Sequence, residues 1–224
     1  MDKKTFDEQY RPRLEKLATT NIADALDSLG MNKFAYGINP MNKEVKKIIG
    51  RAVTVKITAA GMTKSKKHMC ITSVAESEPG DVIVIDNGGR VDTNCWGGIL
   101  TAGAKLAGVS GVVIDGACRD VEEYDANDFP VFARGRVVAT ARGRLIEEGT
   151  NVMIQFQGVQ VRPGDIVVAD HSGVVFIPVE IADETIAKAE QLLEKEESMI
   201  ADMRSGMNIL EVDQKYNYER MLQK

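Results

Sequence analysis

Apolar and polar positions alternate around Val53, Val55 and Ile57, which predicts a strand over residues 51–59. Elsewhere the pattern is continuous rather than alternating. Val82–Ile85 and Val112–Ile114 are short β-branched runs, as in strands buried on both faces. Between them, residues 95–107 read as a helix flanked by Gly97-Gly98 and Gly108. Strand, helix and strand form a βαβ unit with a right-handed crossover. Further strands are predicted near residues 131–133, 137–139 and 158–161. Residues 5–16 read as a polar, charged helix. Thr19 or Thr20 caps a second helix that runs to Leu29 and stops at Gly30. Residues 64–75 are predicted helical, with Lys64, Lys66 and Lys67 in the first turn. A cationic first turn opposes the helix dipole. The segment is either a solvated face or a basic rim for an anionic substrate.

Two patterns stand apart. Pro79-Gly80-Asp81-Val82-Ile83-Val84-Ile85-Asp86 recurs as Pro163-Gly164-Asp165-Ile166-Val167-Val168-Ala169-Asp170. Each copy joins a Pro-Gly-Asp turn to an apolar strand ending in Asp. The two units imply related positions in one architecture, such as two sheets facing each other. A long helix is predicted over residues 181–204. Its stripe of Ala182, Ile186, Ala189, Leu193, Ile200 and Met203 suits a packed helix. Glu196 sits on that stripe, where a carboxylate is costly unless partnered. It fixes register, tilts to the edge, or reaches into a site, including one in a neighbouring subunit.

The bulk numbers narrow the class. The chain has 224 residues, 44% hydrophobic and 27% charged, so it is globular. A net charge of −5 argues against general nucleic-acid binding. No run of about 18 apolar residues offers a membrane span. Three widely spaced cysteines without a C-x-x-C exclude a zinc knuckle, make a disulfide framework unexpected and favour a reducing cytoplasm. Met1-Asp2-Lys3-Lys4 is followed by no apolar leader core, consistent with that compartment. His68 and His171 are the only histidines, so a metal must rely on carboxylates and water, as Mg²⁺ or Mn²⁺ does.

The strongest chemical signal follows the run Val112–Ile114. The strand breaks at Gly116 and delivers Arg119 and Asp120 together. Ligands bind beyond the carboxyl ends of strands in open α/β sheets. There an Arg fork can grip a carboxylate and an Asp can hold a hard cation. An exposed Arg–Asp pair in a turn has the same residue types. Gly97 and Gly98 either allow close packing under Trp96 or open a helix N-terminus to an anion. They fit neither G-x-G-x-x-G nor the P-loop, and no G-x-S-x-G occurs. Lys105 is a Schiff-base candidate, although a solvated lysine is the commoner state.

The stretches GDVIVIDNGG and WGGILTAGAKLAGVSGVVIDGACRD resemble the RraA-like family. That family contains the 4-hydroxy-4-methyl-2-oxoglutarate / 4-carboxy-4-hydroxy-2-oxoadipate aldolases and the regulator of ribonuclease E activity. The similarity runs from TTNIADALDSLG to EKEESMIADMRSG. It implies a single α/β/β swivelling domain over residues 1–224, with a C-terminal helical extension over about 181–224. It also implies a homotrimer or homohexamer with sites between subunits. Within the enzymes, Arg119 would hold the pyruvyl carboxylate and 2-oxo group, and Asp120 would bind Mg²⁺ or Mn²⁺. Backbone N–H groups near Ile99 and Leu100, in the turn opened by Gly97 and Gly98, would contact the pyruvyl end. A glutamate from the adjacent subunit falls at or near Glu196.

The chain departs from the aldolases at Gly98, where they carry an acidic residue that holds metal-bound waters. Asp86, Asp92 and Asp115 are candidates to replace it. The ribonuclease regulators lack the aspartate that this chain keeps at position 120. The resemblance therefore implies a metal-dependent lyase on small 2-oxo acids. Retro-aldol cleavage of a 4-hydroxy-2-oxo acid and oxaloacetate decarboxylation both release pyruvate through its enolate. The alternative is a non-catalytic, protein-binding regulator of ribonuclease E. A third reading is a sugar-acid enzyme whose basic rim at residues 64–67 takes a longer anion.

Overall fold

The strand Ile48–Ala59 organises the sheet, because different stretches of it pair with different partners. The computed structural model describes residues 1–65 and 67–217. Lys66 of the basic segment and residues 218–224 of the expected C-terminal extension lie outside the described residues.

Ile48–Ala59 pairs in parallel with Val82–Asn94, that strand with Gly111–Cys118, and that in turn with Val131–Arg136. Helices Ile71–Glu76, Gly98–Leu106 and Glu122–Ala126 fill the three connections. Parallel pairing requires such crossovers, and the central strands are accordingly β-branched and buried on both faces. Arg51 opposes Ile166 of the antiparallel strand Ile166–Asp170, which turns back as Gly173–Ile177.

The internal echo is structural as well as sequential. Asp81 Oδ2 accepts the Glu78 N–H at 2.8 Å, and Asp165 Oδ2 accepts the Arg162 N–H at 2.8 Å. Gly80 and Gly164 take φ of +91° and +85°, which glycine adopts without a Cβ penalty. Both echo strands neighbour Ile48–Ala59, and their inner faces share one core. Val82 and Val84 pack with Val167, Ala169 and Phe176. Thus the sheet bends along the shared strand and its two halves face each other.

Alternate residues of the parallel strands, Ile83, Ile85, Val112 and Ile114, face the helical layer that holds Trp96, Leu100 and Tyr124. On the opposite side Ile166, Val168 and Val175 meet Leu14, Ile22, Leu26 and Ile186. This is an α/β/β sandwich with a further helical cover. Each buried large apolar side chain contributes about 1.5–3 kcal/mol relative to exposure. No described helix is long and apolar enough to cross a membrane.

Several local expectations need correction. The helix expected over residues 64–75 spans only Ile71–Glu76, because Cys70 takes a left-handed φ of +61° and donates its N–H to distant Glu147 at 2.8 Å. Residues 137–139 form no strand. Single bonds tie them instead, Val137 N–H to Cys118 O and Asn94 N–H to Ala139 O. The strand Leu145–Thr150 lacked the expected pattern, since Glu147, Glu148 and Gly149 interrupt it. Neither Thr19 nor Thr20 is the cap of Thr19–Ser28. Ala18 occupies that position, and Asp170 accepts both the Thr19 N–H at 2.8 Å and its hydroxyl at 2.6 Å. In the helix Ala182–Arg204 the first half of the stripe is buried, but Ile200 and Met203 are exposed. Beyond it Ile209–Tyr216 folds back, anchored by Val212 and by Lys215 and Tyr216 on Asp202.

Candidate active site

The strand Gly111–Cys118 ends against the segment that opens the helix Gly98–Leu106. Cys95 N–H donates to Ala117 O at 3.0 Å, and Arg119 N–H donates to Trp96 O at 3.0 Å. These bonds bring Gly97 and Gly98 beside Arg119 and Asp120. Tyr124, fully buried, donates its hydroxyl to the Arg119 carbonyl and fixes the turn from below. Burial, followed by the nearby Cys118 thiol, pushes the Tyr124 phenol upward, so it stays a donor.

Asp120 adopts φ of +57°, a left-handed conformation that Asp tolerates better than most residues. It aims the carboxylate back at the helix end, where Oδ2 accepts the Gly98 N–H at 3.1 Å. Arg119 Nε lies 3.4 Å from the same oxygen. That Nε is buried and makes no hydrogen bond among the described residues. A buried donor without an acceptor is costly unless water or an anion reaches it.

Side chains crowd both glycines here. A Cβ on Gly97 would stand 2.7 Å from Asp120 Oδ2, and one on Gly98 would stand 2.9 Å from Glu123 Cγ. Where the aldolase pattern expects an acidic side chain at 98, the space is taken by Glu123, one turn beyond Asp120. Thr101 N–H is the first in the helix to find an intrahelical acceptor, Gly97 O at 3.1 Å. The N–H groups of Ile99 and Leu100 have no acceptor among the described residues. The helix end therefore presents two free donors with a favourable dipole.

Arg119 and Asp120 line one cleft together with Gly97, Gly98, Ile99 and Leu100. Of the residues that sequence reasoning grouped, these six are brought together and Glu196 of the same chain is not. Two further basic side chains were missed. His68 and Arg142 come from distant loops, and nothing in their local sequence marks them. Cys95 also lines the cleft, while Cys70 and Cys118 lie buried nearby. Burial pushes all three thiols up, which makes them inert rather than nucleophilic.

The cleft fits a hard cation sparsely. No group of three His, Cys, Asp or Glu forms among the described residues. Asp120 offers one partly exposed carboxylate, with Oδ1 not hydrogen-bonded among the described residues. Mg²⁺ and Mn²⁺ accept one or two carboxylates with water and substrate oxygens completing the shell, whereas structural Zn²⁺ needs more nitrogen or sulfur.

Other candidates lie elsewhere. Glu196 accepts from Asn21 Nδ2 at 2.9 Å and lines an apolar groove with Met199, Ile200 and Met203, apart from the cleft of its own chain. Asp86 and Asp115 are buried and paired with Lys56 and Arg134, so neither replaces the acidic residue absent at 98. Exposed Asp92 does not line the cleft either. Lys105 is not a Schiff-base group of this cleft. Its ammonium donates to Asp128 O at 2.8 Å, at the other end of its helix. It lines a cavity of about 510 Å³ at the amino ends of the strands, whose cations Arg11, Lys46 and Lys47 are likewise engaged within the chain.

Residues 19–176 match the RraA-like family (Aldolase/RraA). A relative from Halalkalibacterium halodurans, named "Putative 4-hydroxy-4-methyl-2-oxoglutarate aldolase", is 37% identical over 78% of this chain and 79% of its own. Protein DlpA of Legionella pneumophila is 31% identical over 92% of this chain, which spans only 34% of DlpA. Among solved structures, Streptomyces coelicolor RraAS2, described as an unusual member of the RNase ES inhibitor RraA protein family, superposes with a TM-score of 0.74. It is 26% identical, over 83% of this chain and 92% of that one.

Proposed function

Because this chain belongs to the RraA-like family, we propose that its Arg119–Asp120 cleft is the active site of a lyase. It cleaves a carbon–carbon bond of a small 2-oxo acid and releases pyruvate through its enolate. The observation that carries this reading is the convergence of Arg119, Asp120 and the free N–H groups of Ile99 and Leu100 on one cleft.

Asp120 would hold Mg²⁺ or Mn²⁺, and such an ion supplies Lewis-acid polarisation of the 2-oxo and carboxylate oxygens. Arg119 pairs with the substrate carboxylate, so that its buried Nε gains an acceptor. As the C3–C4 bond breaks, negative charge grows on the 2-oxo oxygen. Arg119 and the helix N–H groups then bind the enolate more strongly than the ground state, which is the condition for catalysis. Losing one such donor costs about 3–4 kcal/mol of transition-state stabilisation. For aldol cleavage a base must take the 4-hydroxyl proton. Glu196 from a neighbouring copy, in a trimer or hexamer, fills that role directly or through water. Oxaloacetate decarboxylation reaches the same enolate without an alcohol base, and Gly98 leaves it no less favoured than aldol cleavage.

The likeness to an RNase ES inhibitor relative favours a second reading, a protein-binding regulator. Retention of Asp120 with an intact cleft ranks the lyase first. The test is a screen of 4-hydroxy-2-oxo acids and oxaloacetate after chelation, with Mg²⁺ or Mn²⁺ restored and pyruvate detected by a coupled assay. Metal-dependent pyruvate release is expected. No release from any substrate, together with a stoichiometric protein partner, would reverse the ranking. Turnover that survives the chelator and is trapped by borohydride would point to a Schiff-base lysine.

A further inference from the structure

Two residues that line the cleft each keep one buried side-chain atom without a hydrogen-bond partner among the described residues, and the two atoms are opposite in kind. Arg119 Nε is a donor. Asn94 Oδ1 is an acceptor, on a residue only 6% exposed. A substrate carboxylate answers the donor and leaves the acceptor idle, because two oxygens with no proton between them repel. Asn94 needs an O–H, and an ionised carboxylate carries none.

The acceptor is held in place. Asn94 ends the strand Val82–Asn94 opposite Ala117 of the neighbouring strand, and its N–H donates to Ala139 O at 3.1 Å. Its Nδ2 donates to Trp96 O at 3.4 Å, and the same carbonyl accepts the Arg119 N–H at 3.0 Å. A carbonyl only accepts, so the amide nitrogen faces Trp96 and Oδ1 faces away from it. One carbonyl thus joins the Asn94 carboxamide to the backbone of Arg119. The Arg119 Nε lies in turn 3.4 Å from Asp120 Oδ2.

A hydrated cation would bring the missing donor. Asp120 is one carboxylate, and no group of three ligating side chains forms among the described residues, so water makes up most of such a shell. The protons of those waters need acceptors. Position 98, where the aldolase pattern expects an acidic side chain for them, is glycine, and none of Asp86, Asp92 and Asp115 lines the cleft. We infer that Asn94 Oδ1 accepts a hydrogen bond from a water of the cation's shell and so positions the ion at Asp120. The inference rests on the reading of Asp120 as the cation's ligand, and it requires no turnover. A neutral carboxamide does here, without added charge, what a carboxylate at 98 would do.

The test is Mn²⁺ binding to the full chain without substrate, followed by electron paramagnetic resonance. Asn94→Leu keeps the shape of the side chain and removes the acceptor. Its Mn²⁺ Kd should rise by about 10- to 100-fold, the usual effect of losing a partner in the outer shell of a metal site. Asn94→Asp keeps an acceptor and should bind Mn²⁺ at least as tightly as the wild type, which decides the matter even where Asn94→Leu is too unstable to measure. Unchanged Mn²⁺ affinity in Asn94→Leu overturns the inference. It does so also where that variant binds a hydroxylated acid such as malate more weakly, since the O–H then comes from the organic ligand. A loss in Asn94→Asp equal to that in Asn94→Leu overturns it as well, because position 94 would then act through the fold alone. A wild-type chain that binds no Mn²⁺ overturns it together with the metal reading of Asp120. If Mn²⁺ binding depends on Asn94 in a protein that releases no pyruvate, the lyase reading fails and the role of Asn94 stands.

Discussion

The Gly98 N–H donates to Asp120 Oδ2 at 3.1 Å, across two segments that the fold alone brings together. The carboxylate proposed to hold a cation is thereby tied to the helix end proposed to meet the substrate. Asp120→Asn keeps the shape and tolerates the left-handed backbone, but removes the charge. Mn²⁺ affinity, titrated by electron paramagnetic resonance, should fall by more than about tenfold. The melting temperature should move little. Unchanged Mn²⁺ binding would remove Asp120 from the metal site.

Tyr124 acts through the backbone of Arg119 rather than on substrate. Tyr124→Phe leaves a carbonyl without its donor in a buried setting, which costs about 1–3 kcal/mol of stability. It also loosens the turn that aims the guanidinium. Denaturant unfolding should show the first effect, and a lower kcat with unchanged Mn²⁺ affinity the second. Equal loss of metal binding would make Tyr124 merely structural.

Gly98 and Glu123 compete for one space, since a Cβ at 98 would meet Glu123 Cγ at 2.9 Å. Gly98→Asp alone should therefore be less stable than Gly98→Asp combined with Glu123→Ala. A double-mutant cycle in urea should give a coupling of at least about 0.5 kcal/mol. Strict additivity would mean that Glu123 swings aside without cost.

Asp170 links the second echo strand to the start of the helix Thr19–Ser28. Burial alone would raise its pKa, but the bonds from Thr19 and from the Ser172 N–H outweigh burial and lower it. A lowered folded-state pKa means stability that is present above the ordinary carboxylate range and lost as pH falls through the folded value. Asp170→Asn should cost about 1–2 kcal/mol near pH 7, the usual worth of a helix cap. Its acid unfolding limb should also be shallower than that of the wild type. Parallel limbs would show that Asp170 does not titrate with folding.

The sequence carried the parts of the fold that depend on local pattern. The β-branched run Val112–Ile114, the repeated Pro-Gly-Asp turn and the stripe of the C-terminal helix all formed elements where expected. Arg119 and Asp120 were legible as neighbours at a strand end, and their meeting with Gly97 and Gly98 followed from the family resemblance, in keeping with ligand sites beyond the carboxyl ends of strands. What was hidden depends on distant contacts. The break at Cys70 answers to Glu147, seventy-seven residues away in sequence. The loop at 137–144 is held by single bonds to two strand ends, so Arg142 enters the cleft without a periodic signal. Tyr124 reads as an ordinary core aromatic until its hydroxyl is seen on the Arg119 carbonyl.

In the proposed reaction the Arg119 guanidinium neutralises the pyruvyl end of a 2-oxo acid. This role is tested most directly by steady-state pyruvate release from wild-type and Arg119→Ala protein, both supplied with Mg²⁺ and matched in melting temperature. A fall in kcat/KM of at least about a hundredfold is expected for the variant. A variant that releases pyruvate at close to the wild-type rate would contradict it.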